Sequence, residues 1–168
     1  DSVFPNNWIS FHENGDIILY PMFAHNRRLE RKQTVLDAIG KRFTVEELID
    51  LSAPEDKQLY LEGTGSMVLD RTNGIVYACL STRTHPQLLN EFCRLNGLIP
   101  VTFLARDNNG IAIYHTNVMM CIANEYAVIC LDAITDQTER ETVMESLNDT
   151  GKAIIPISFD QLHHFAGN

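Results

Sequence analysis

The sequence predicts an α/β fold built from about three repeated β-β-α-β modules. The main evidence is an internal repeat, since SMVLDRTNGIVYACL (66–80) and NVMMCIANEYAVICL (117–131) match in pattern at an offset of 51 residues. Each copy reads as a hairpin, and each is followed by a helical pattern and a short apolar run. Modules of this size cannot bury their apolar faces alone, so we expect one domain with modules at roughly 1–60, 61–110 and 111–168.

The first module is a fainter copy of the same pattern. Its hairpin is WISFHENGDIILY (8–20), in which an Asn-Gly pair predicts a two-residue turn. Apolar residues then recur at spacings of three and four over residues 29–43, which predicts an amphipathic helix. The next stretch, TVEELIDL (44–51), opens with a threonine and a glutamate in capping-box spacing, and it is predicted as a further short helix.

The second and third modules carry clearer helix signals. The segment HPQLLNEFCRLNG (85–97) has a proline near its start and a glycine at its end, the usual limits of a helix. The segment TDQTERETVMESLNDTG (135–151) offers Thr138 and Glu141 as a capping box. Two short strands are predicted to close these modules: LIPVTF (98–103) and IIPIS (154–158).

Composition excludes several classes of function. The chain has 168 residues, 45% of them hydrophobic, which suits one domain with a core. Thirteen basic and 22 acidic residues give a net charge of −9, which disfavours nucleic acid as a partner. No apolar run approaches the roughly 20 residues that span a bilayer, so we expect no membrane association.

The cysteines and histidines point away from disulfides and metals. The four cysteines lie in apolar settings without a C-x-x-C pair, which predicts buried, reduced thiols and a cytoplasmic protein. The six histidines show no zinc-binding spacing. We therefore expect neither a metal nor a cofactor. The four cysteines are Cys79, Cys93, Cys121 and Cys130.

Five segments, taken in order along nearly the whole chain, resemble motifs of the pentein superfamily of guanidine-modifying enzymes. The sequences of these segments are most similar to those of citrulline hydrolase (ureidase)-type proteins related to the amidinotransferases. The resemblance implies an α/β propeller of five β-β-α-β modules around a central channel that holds the active site. About three of the five modules would be present here. The segments are DSVFPNN, HNRRLE, LEGTGSMVLDR, CLSTRTH and YHTNVMMCI.

The same resemblance implies a set of site residues. Glu62 matches the acidic catalytic residue, and His115 matches the histidine that protonates the departing amine and later activates water. The other matches fall on substrate-binding positions, for which an arginine fork suits a carboxylate and an amide suits an uncharged group. These substrate-binding candidates are Asp1, Asn6, Asn7, Arg27, Arg83 and Asn117.

Asparagines replace acidic residues at three positions of the pattern, namely Asn6, Asn7 and Asn117. A neutral amide pairs with a ureido group without leaving an unbalanced charge, whereas a carboxylate suits a cationic guanidinium. This difference favours citrulline as the substrate, with ornithine, ammonia and carbon dioxide as products. Succinylarginine dihydrolases resemble this segment with an asparagine and act on a guanidino group, so an arginine-type guanidino hydrolase or an amidinotransferase remains an alternative.

The nucleophile of these enzymes is a cysteine near their C-terminus, and no cysteine follows Ile154 in this sequence. The chain also begins with Asp rather than Met. We therefore expect a fragment that is inactive alone and that associates with itself, as a possible homo-oligomer, or with the absent parts. A non-catalytic binding module of the same fold is the remaining alternative, and a cysteine in a following segment distinguishes the two.

Overall fold

Nine short strands are arranged in three separate three-stranded sheets in the part of the chain that the computed structural model describes, residues 6–168. The candidate residue Asp1 lies outside the described residues. The strands are β1 (Ile9–Phe11), β2 (Ile17–Leu19), β3 (Leu48–Asp50), β4 (Val68–Asp70), β5 (Ile75–Cys79), β6 (Ile99–Phe103), β7 (Met120–Ile122), β8 (Tyr126–Ile129) and β9 (Ala153–Pro156).

The three sheets have the same topology. In each one, the first two strands form an antiparallel hairpin and the third strand pairs in parallel with the second. A parallel partner needs a crossover connection, and helices provide it between the second and third strands. The order strand, strand, helix, strand therefore occurs three times in succession, as the internal repeat predicts.

Six α-helices accompany these sheets in the described part of the chain. The two longest, α4 (Pro86–Asn96) and α5 (Gln137–Asp149), bury one face each against the sheets. The buried residues are Leu88, Leu89 and Phe92 on α4 and Val143 and Leu147 on α5. The helices are α1 (His25–Arg28), α2 (Gln33–Gly40), α3 (Gly63–Ser66), α4 (Pro86–Asn96), α5 (Gln137–Asp149) and α6 (Phe159–His163).

Turn and cap residues explain most element limits. Gly15 and Gly74 have φ of 90° and 67°, so each Asn-Gly pair places its glycine in the left-handed region that glycine adopts without strain. Helix α4 begins at Pro86 and ends at Gly97, which is also left-handed. The limits predicted for this helix are therefore confirmed.

Two predictions for the first module are wrong. Residues 44–51 do not form a helix, because Leu48–Asp50 becomes strand β3, whose Ile49 lies opposite Ile18. Backbone hydrogen bonds to β2 outweigh the local capping signal there. The helix predicted over 29–43 is shorter, at Gln33–Gly40, and the stripe residues Leu29 and Phe43 beyond its ends are 73% and 67% exposed.

The capping box predicted for α5 is also wrong. Asp136 is the N-cap, since its side chain accepts a hydrogen bond of 2.9 Å from the Glu139 N–H, and the helix begins one residue later. Thr138 already lies inside the first turn, where its backbone carbonyl accepts from the Thr142 hydroxyl. An aspartate caps a helix at least as well as a threonine, so the earlier residue sets the start.

The core consists of three apolar clusters that follow the sheets. One surrounds Trp8 and Met22, a second surrounds Leu61 and Phe92, and the largest joins β5 to the third sheet. No helix within residues 6–168 is both long enough and apolar enough to cross a bilayer. Packing between neighbouring sheets brings together the loops that precede the three hairpins and the loop that follows β5, and these loops carry the candidate site.

Candidate active site

Glu62 lies at the start of the short helix α3 and is buried, with only 1% of its surface exposed. The Ser66 hydroxyl fixes the backbone at this point, because its oxygen accepts from the Glu62 N–H at 2.8 Å and its proton is donated to the Arg83 carbonyl at 2.7 Å. A second bond joins the Glu62 N–H to the Arg83 carbonyl at 3.2 Å. The helix turn and the loop that carries Arg83 thus hold each other in place.

His115 lies just before a 3₁₀ turn, Thr116–Val118, and is 7% exposed. The apolar stretch IAIY (111–114) before His115 predicts a strand, but this prediction is wrong, because the stretch makes only an isolated bridge at Ala112. The Thr116 side chain holds the turn instead. Its hydroxyl donates to the Ser66 carbonyl at 2.5 Å and accepts from the Cys79 N–H at 2.8 Å.

These two loops bring Glu62 and His115 into contact, with 2.6 Å between Glu62 Oε2 and His115 Nε2. Arg83 Nη1 lies 3.4 Å from the same carboxylate oxygen, and the Phe23 N–H donates to Glu62 Oε1 at 2.8 Å. Burial raises the pKa of Glu62, but the hydrogen bond from His115, the Phe23 N–H and the nearby cations together lower it below its usual value. The carboxyl group is therefore ionised at neutral pH.

The ionised carboxylate determines the tautomer of His115. A carboxylate only accepts hydrogen bonds, so His115 Nε2 must carry the proton of the short contact. Nδ1 is then the nitrogen that is free to accept or release a proton. It faces Gly65, where an added Cβ would lie 2.9 Å from His115 Nδ1 and 2.8 Å from His115 Cε1.

Asn7 approaches the pair from the first module. It is 7% exposed, and its φ of 63° is a left-handed conformation that asparagine tolerates better than most residues. Its amide nitrogen would lie 2.9 Å from a Cβ on Gly65, and its amide oxygen accepts from the Thr64 hydroxyl at 3.1 Å. Because Gly65 has no side chain, Asn7 and His115 can both approach the same face of the turn.

Gly63, in the same turn, is needed for a different reason. Its φ is +40°, and an added Cβ would lie 2.5 Å from the Asn7 carbonyl oxygen. The sequence predicts that the two glycines permit either close approach or positive φ. In the structure Gly63 meets both conditions, whereas Gly65 meets only the first.

Arg27 and Asn6 contact each other. Arg27 Nη2 donates to the Asn6 carbonyl at 3.1 Å, and its Nε lies 2.8 Å from Glu30 Oε1. The neighbouring Arg28 donates instead to the Met22 carbonyl at 2.8 Å. The substrate-binding roles of Asn6 and Arg27 stay predictions.

Asn117 follows His115 by two residues and lines a cleft of about 280 Å³ together with Thr64, Arg71 and Cys121. Its side-chain oxygen is buried and has no hydrogen-bond partner among residues 6–168. An unpaired buried acceptor is costly unless a ligand or water satisfies it. A buried oxygen without a partner is expected of an asparagine that binds a substrate. The substrate-binding role of Asn117 stays a prediction.

Three of the four cysteines are poorly suited to nucleophilic attack. All four are free, as predicted, but the prediction that all are buried is wrong for Cys121, which is only partly buried. Burial raises the pKa of Cys79 and of Cys93 to about 11 and also raises the pKa of Cys130. A thiol that does not ionise at neutral pH is a weak nucleophile. The described residues contain no group of three or more side chains suited to a metal ion.

Sequence reasoning missed four residues that build the site. Ser66 lies where the resembled glycine-rich motif has an aspartate, and no local signal marks Phe23, Tyr114 or Thr116. Only their positions next to motif residues distinguish them, because Tyr114 and Thr116 flank His115 and Ser66 ends the glycine-rich turn. Their contacts depend on packing between modules, which a single sequence does not reveal.

Three sheets with the same topology and a buried glutamate–histidine pair at their junction define a protein of the pentein class. The family model described as N,N dimethylarginine dimethylhydrolase, eukaryotic, matches residues 1–168. The chain therefore belongs to this family. No curated protein matches it.

Solved structures with the same fold include ArgZ, an arginine dihydrolase from the ornithine-ammonia cycle in cyanobacteria. The TM-score is 0.73 at 20% identity, and the match covers 99% of this chain and 25% of ArgZ. The N-terminal domain of ArgZ, bound to substrate, gives the same TM-score, 0.73, and 20% identity over 99% of this chain and 56% of that domain.

AgrE in complex with ornithine and NAD+ also has the fold, with a TM-score of 0.70 at 22% identity over 98% of this chain and 22% of AgrE. At these identities the likeness concerns the fold. The chain spans about half of the N-terminal domain of ArgZ and about a quarter of whole ArgZ.

Proposed function

We propose that this chain supplies the acid–base half of a hydrolase that acts on the guanidino carbon of arginine or an arginine derivative. The observation that carries the proposal is the buried contact of 2.6 Å between Glu62 Oε2 and His115 Nε2. Family membership supports the guanidino substrate, because the family is described by its action on dimethylarginine. The ArgZ structure, which is that of an arginine dihydrolase, and the AgrE structure, which contains bound ornithine, are consistent with it.

The reaction is hydrolysis of a C–N bond. A thiolate adds to the guanidino carbon, and His115 protonates the nitrogen of the departing amine as that C–N bond breaks. His115, now neutral, takes a proton from water, whose oxygen adds to the same carbon. The C–S bond then breaks, the thiolate leaves, and a ureido product remains. One water is consumed and one amine is released.

Glu62 serves mainly to orient and stabilise His115 in this scheme. A carboxylate has about four acceptor positions. Within residues 6–168, three of them are used, by His115 and Arg83 on Oε2 and by the Phe23 N–H on Oε1. One position on Oε1 remains for a substrate N–H. The negative charge stabilises the protonated imidazole, which donates its proton in the first half of the reaction and forms again in the second.

The thiolate would come from a segment outside residues 1–168. The resemblance to penteins places the nucleophile near the C-terminus of the enzyme, and the buried thiols here have raised pKa values. Coverage of only 56% of the ArgZ N-terminal domain leaves room for such a segment in relatives of this fold. The five-module propeller and the inactivity of this chain alone belong to the same proposal.

Citrulline is the second candidate substrate, and Asn7 favours it. Asn7 presents a neutral, buried amide next to His115, where a carboxylate would favour a cationic guanidinium. An ion pair at about 4 Å contributes roughly 4 kcal/mol at an effective dielectric near 20, so a neutral residue removes a large preference for arginine. Citrulline hydrolysis would give ornithine, ammonia and carbon dioxide.

Turnover by the full-length protein tests these alternatives. Arginine, dimethylarginine and citrulline are supplied separately, and ammonia, methylamines, ornithine and citrulline are quantified. Preferential release of amine from either guanidino substrate supports the proposal, and preferential conversion of citrulline supports the second candidate. A full-length protein that contains a cysteine in its following segment and turns over none of the three is instead a binding module.

Apolar side chains at the surface support the predicted association with further protein. Phe11, Phe43, Ile99 and Ile111 are all more than half exposed. Such groups are often covered by a neighbouring module or by a second copy. Light scattering on the full-length protein measures its oligomeric state, and a monomer with these residues covered by its own later modules would exclude the homo-oligomer. The cytoplasmic location stays a prediction from cysteine usage.

A further inference from the structure

Arg83 contacts two aromatic rings at the edge of the site. Its guanidinium carbon is 4.5 Å from the centre of the Tyr114 ring and 5.3 Å from the centre of the Phe23 ring. Both rings are about half exposed, at 48% and 44%, so neither belongs to the core. Two half-exposed rings on one guanidinium form a cation–π clamp at the surface of the protein.

Each aromatic residue also contacts the glutamate–histidine pair, Phe23 through its backbone and Tyr114 through its ring. The Phe23 N–H donates to Glu62 Oε1, and the Tyr114 ring centre lies 4.8 Å from that of His115. The Ser81 hydroxyl further connects the two loops, since it accepts from the Arg83 N–H at 3.1 Å and donates to the Tyr114 carbonyl at 2.8 Å. The clamp is therefore built on the same backbone that positions the acid–base pair.

The guanidinium itself is only partly used. Arg83 carries five N–H donors in a planar fork. Its only recorded side-chain hydrogen bond within residues 6–168 is the contact of 3.4 Å between Nη1 and Glu62 Oε2. The side chain is 31% exposed, which leaves donors directed to solvent. A planar pair of donors at the mouth of a site matches a carboxylate.

We propose that Phe23 and Tyr114 are positioning residues that hold Arg83 for the carboxylate of an amino-acid substrate, and that they thereby set the preference for the amino acid over its decarboxylated amine. This inference rests on the proposed function. A free arginine side chain loses much rotamer freedom when it binds a ligand, and stacking removes that freedom beforehand. The rings therefore strengthen a contact that only a substrate with a carboxylate makes.

The test uses the full-length protein with Phe23→Leu and Tyr114→Leu. The substrates are the amino acid that it turns over fastest and the amine that lacks only the carboxylate. Each variant is expected to raise KM for the amino acid on the order of tenfold, while KM for the amine and kcat for both stay within about twofold. Tyr114→Phe keeps the ring and is expected to restore the wild-type KM.

Tyr126→Leu is the matched control, since Tyr126 is 45% exposed on β8 and no contact with Arg83 is recorded for it. Thermal unfolding of all variants checks that they fold, and Phe23→Met, which also lacks the ring, replaces Phe23→Leu if the latter does not. A fall in kcat at unchanged KM, an equal loss for amino acid and amine, or the same loss in Tyr126→Leu would overturn the proposal.

Failure of the proposed function gives a different result. In that case the wild-type protein turns over neither compound, and calorimetric titration measures binding instead. Tighter binding of the amino acid than of the amine, lost in Tyr114→Leu and kept in Tyr114→Phe, supports the clamp although hydrolysis is refuted. Equal binding of the two compounds, or none, overturns the clamp as well.

Discussion

Glu62 Oε2 and His115 Nε2 lie 2.6 Å apart although the two residues are 53 positions apart in the sequence. Glu62 precedes the hairpin of the second sheet, and His115 precedes the hairpin of the third. The bond from the Thr116 hydroxyl to the Ser66 carbonyl ties the two loops next to this contact. The acid–base pair is therefore a product of packing between modules, and no single module contains it.

Glu62→Gln is expected to lower kcat of the full-length protein by about 10²–10³-fold. A glutamine keeps the size of the side chain but removes the charge that favours the protonated imidazole, and general acid–base catalysis contributes on this scale. Steady-state kinetics with the best substrate measure the effect. Glu145→Gln, which neutralises an exposed glutamate on α5, is the control and is expected to leave kcat unchanged.

The Glu62 carboxylate also makes a contribution to stability that depends on pH. Its pKa is lower in the folded protein than in the unfolded chain, so the contribution is present above the usual glutamate pKa and is lost as pH falls through the folded value. Urea unfolding between pH 7 and pH 3 should show a shallower decline in Glu62→Gln than in the wild type. Parallel curves would contradict the lowered pKa.

Gly65→Ala is expected to displace the His115 ring and reduce activity by at least about tenfold. The added Cβ would lie 2.8 Å from His115 Cε1 and 2.9 Å from the Asn7 amide nitrogen, closer than real Cβ contacts allow. Gly65 does not have a positive φ, so the effect comes from space and not from backbone strain. Kinetics and a crystal structure of the variant measure the two consequences.

Gly40→Ala is the matched control for that substitution. Gly40 ends helix α2, has no positive φ, and no atom lies within 4 Å of an added Cβ. Alanine is favoured over glycine in helices, so this variant is expected to be neutral or more stable by less than about 1 kcal/mol. Equal loss of activity in both alanine variants would show that the space at Gly65 is not what matters.

Sequence reasoning predicts the repeated order of the elements because hairpin turns and helix limits are local. Asn-Gly pairs and the proline and glycine around α4 act within a few residues. Sequence reasoning does not predict the strand at 48–50. Its parallel pairing with β2 joins residues about 30 positions apart, and this pairing outweighs the local capping signal. The resemblance singles out Glu62 and His115, whereas Phe23, Ser66 and Tyr114 emerge only from their contacts.

Asn7→Asp is expected to shift preference towards cationic guanidino substrates and away from citrulline. A carboxylate next to His115 attracts a guanidinium and does not attract a neutral ureido group. The ratio of kcat/KM for arginine to that for citrulline should rise by at least about tenfold. Aspartate also tolerates the left-handed conformation of Asn7, so the fold should persist.

Asn6→Asp is the control for the charge itself. Asn6 is exposed, and its recorded contact is through its backbone carbonyl, so the same added charge should change the ratio much less. Similar shifts in the two variants would mean that the overall field of the site, and not the amide at Asn7, determines the preference. No shift in Asn7→Asp would remove Asn7 from the specificity of the enzyme.

Asp70 and Lys152 form a buried ion pair between the second and third modules, with 2.6 Å between Asp70 Oδ2 and Lys152 Nζ. Asp70 ends β4, and Lys152 lies between α5 and β9. Burial raises the pKa of Asp70, but Lys152 and the Asn73 amide lower it below the usual aspartate value. The ion pair therefore adds stability above the usual pKa of aspartate. This contribution is lost as pH falls through the pKa of Asp70 in the folded protein.

Lys152→Met is expected to lower the free energy of unfolding by about 3–5 kcal/mol, because it leaves the Asp70 carboxylate buried without a cation. The double variant Asp70→Asn with Lys152→Met removes both charges and should lose clearly less. Urea unfolding at pH 7 measures the difference, and Lys41→Met, at an exposed lysine, serves as the control. If the double variant is as unstable as Lys152→Met alone, the unpaired buried charge is not the cause, and the packing of the Lys152 side chain between the modules accounts for the loss instead.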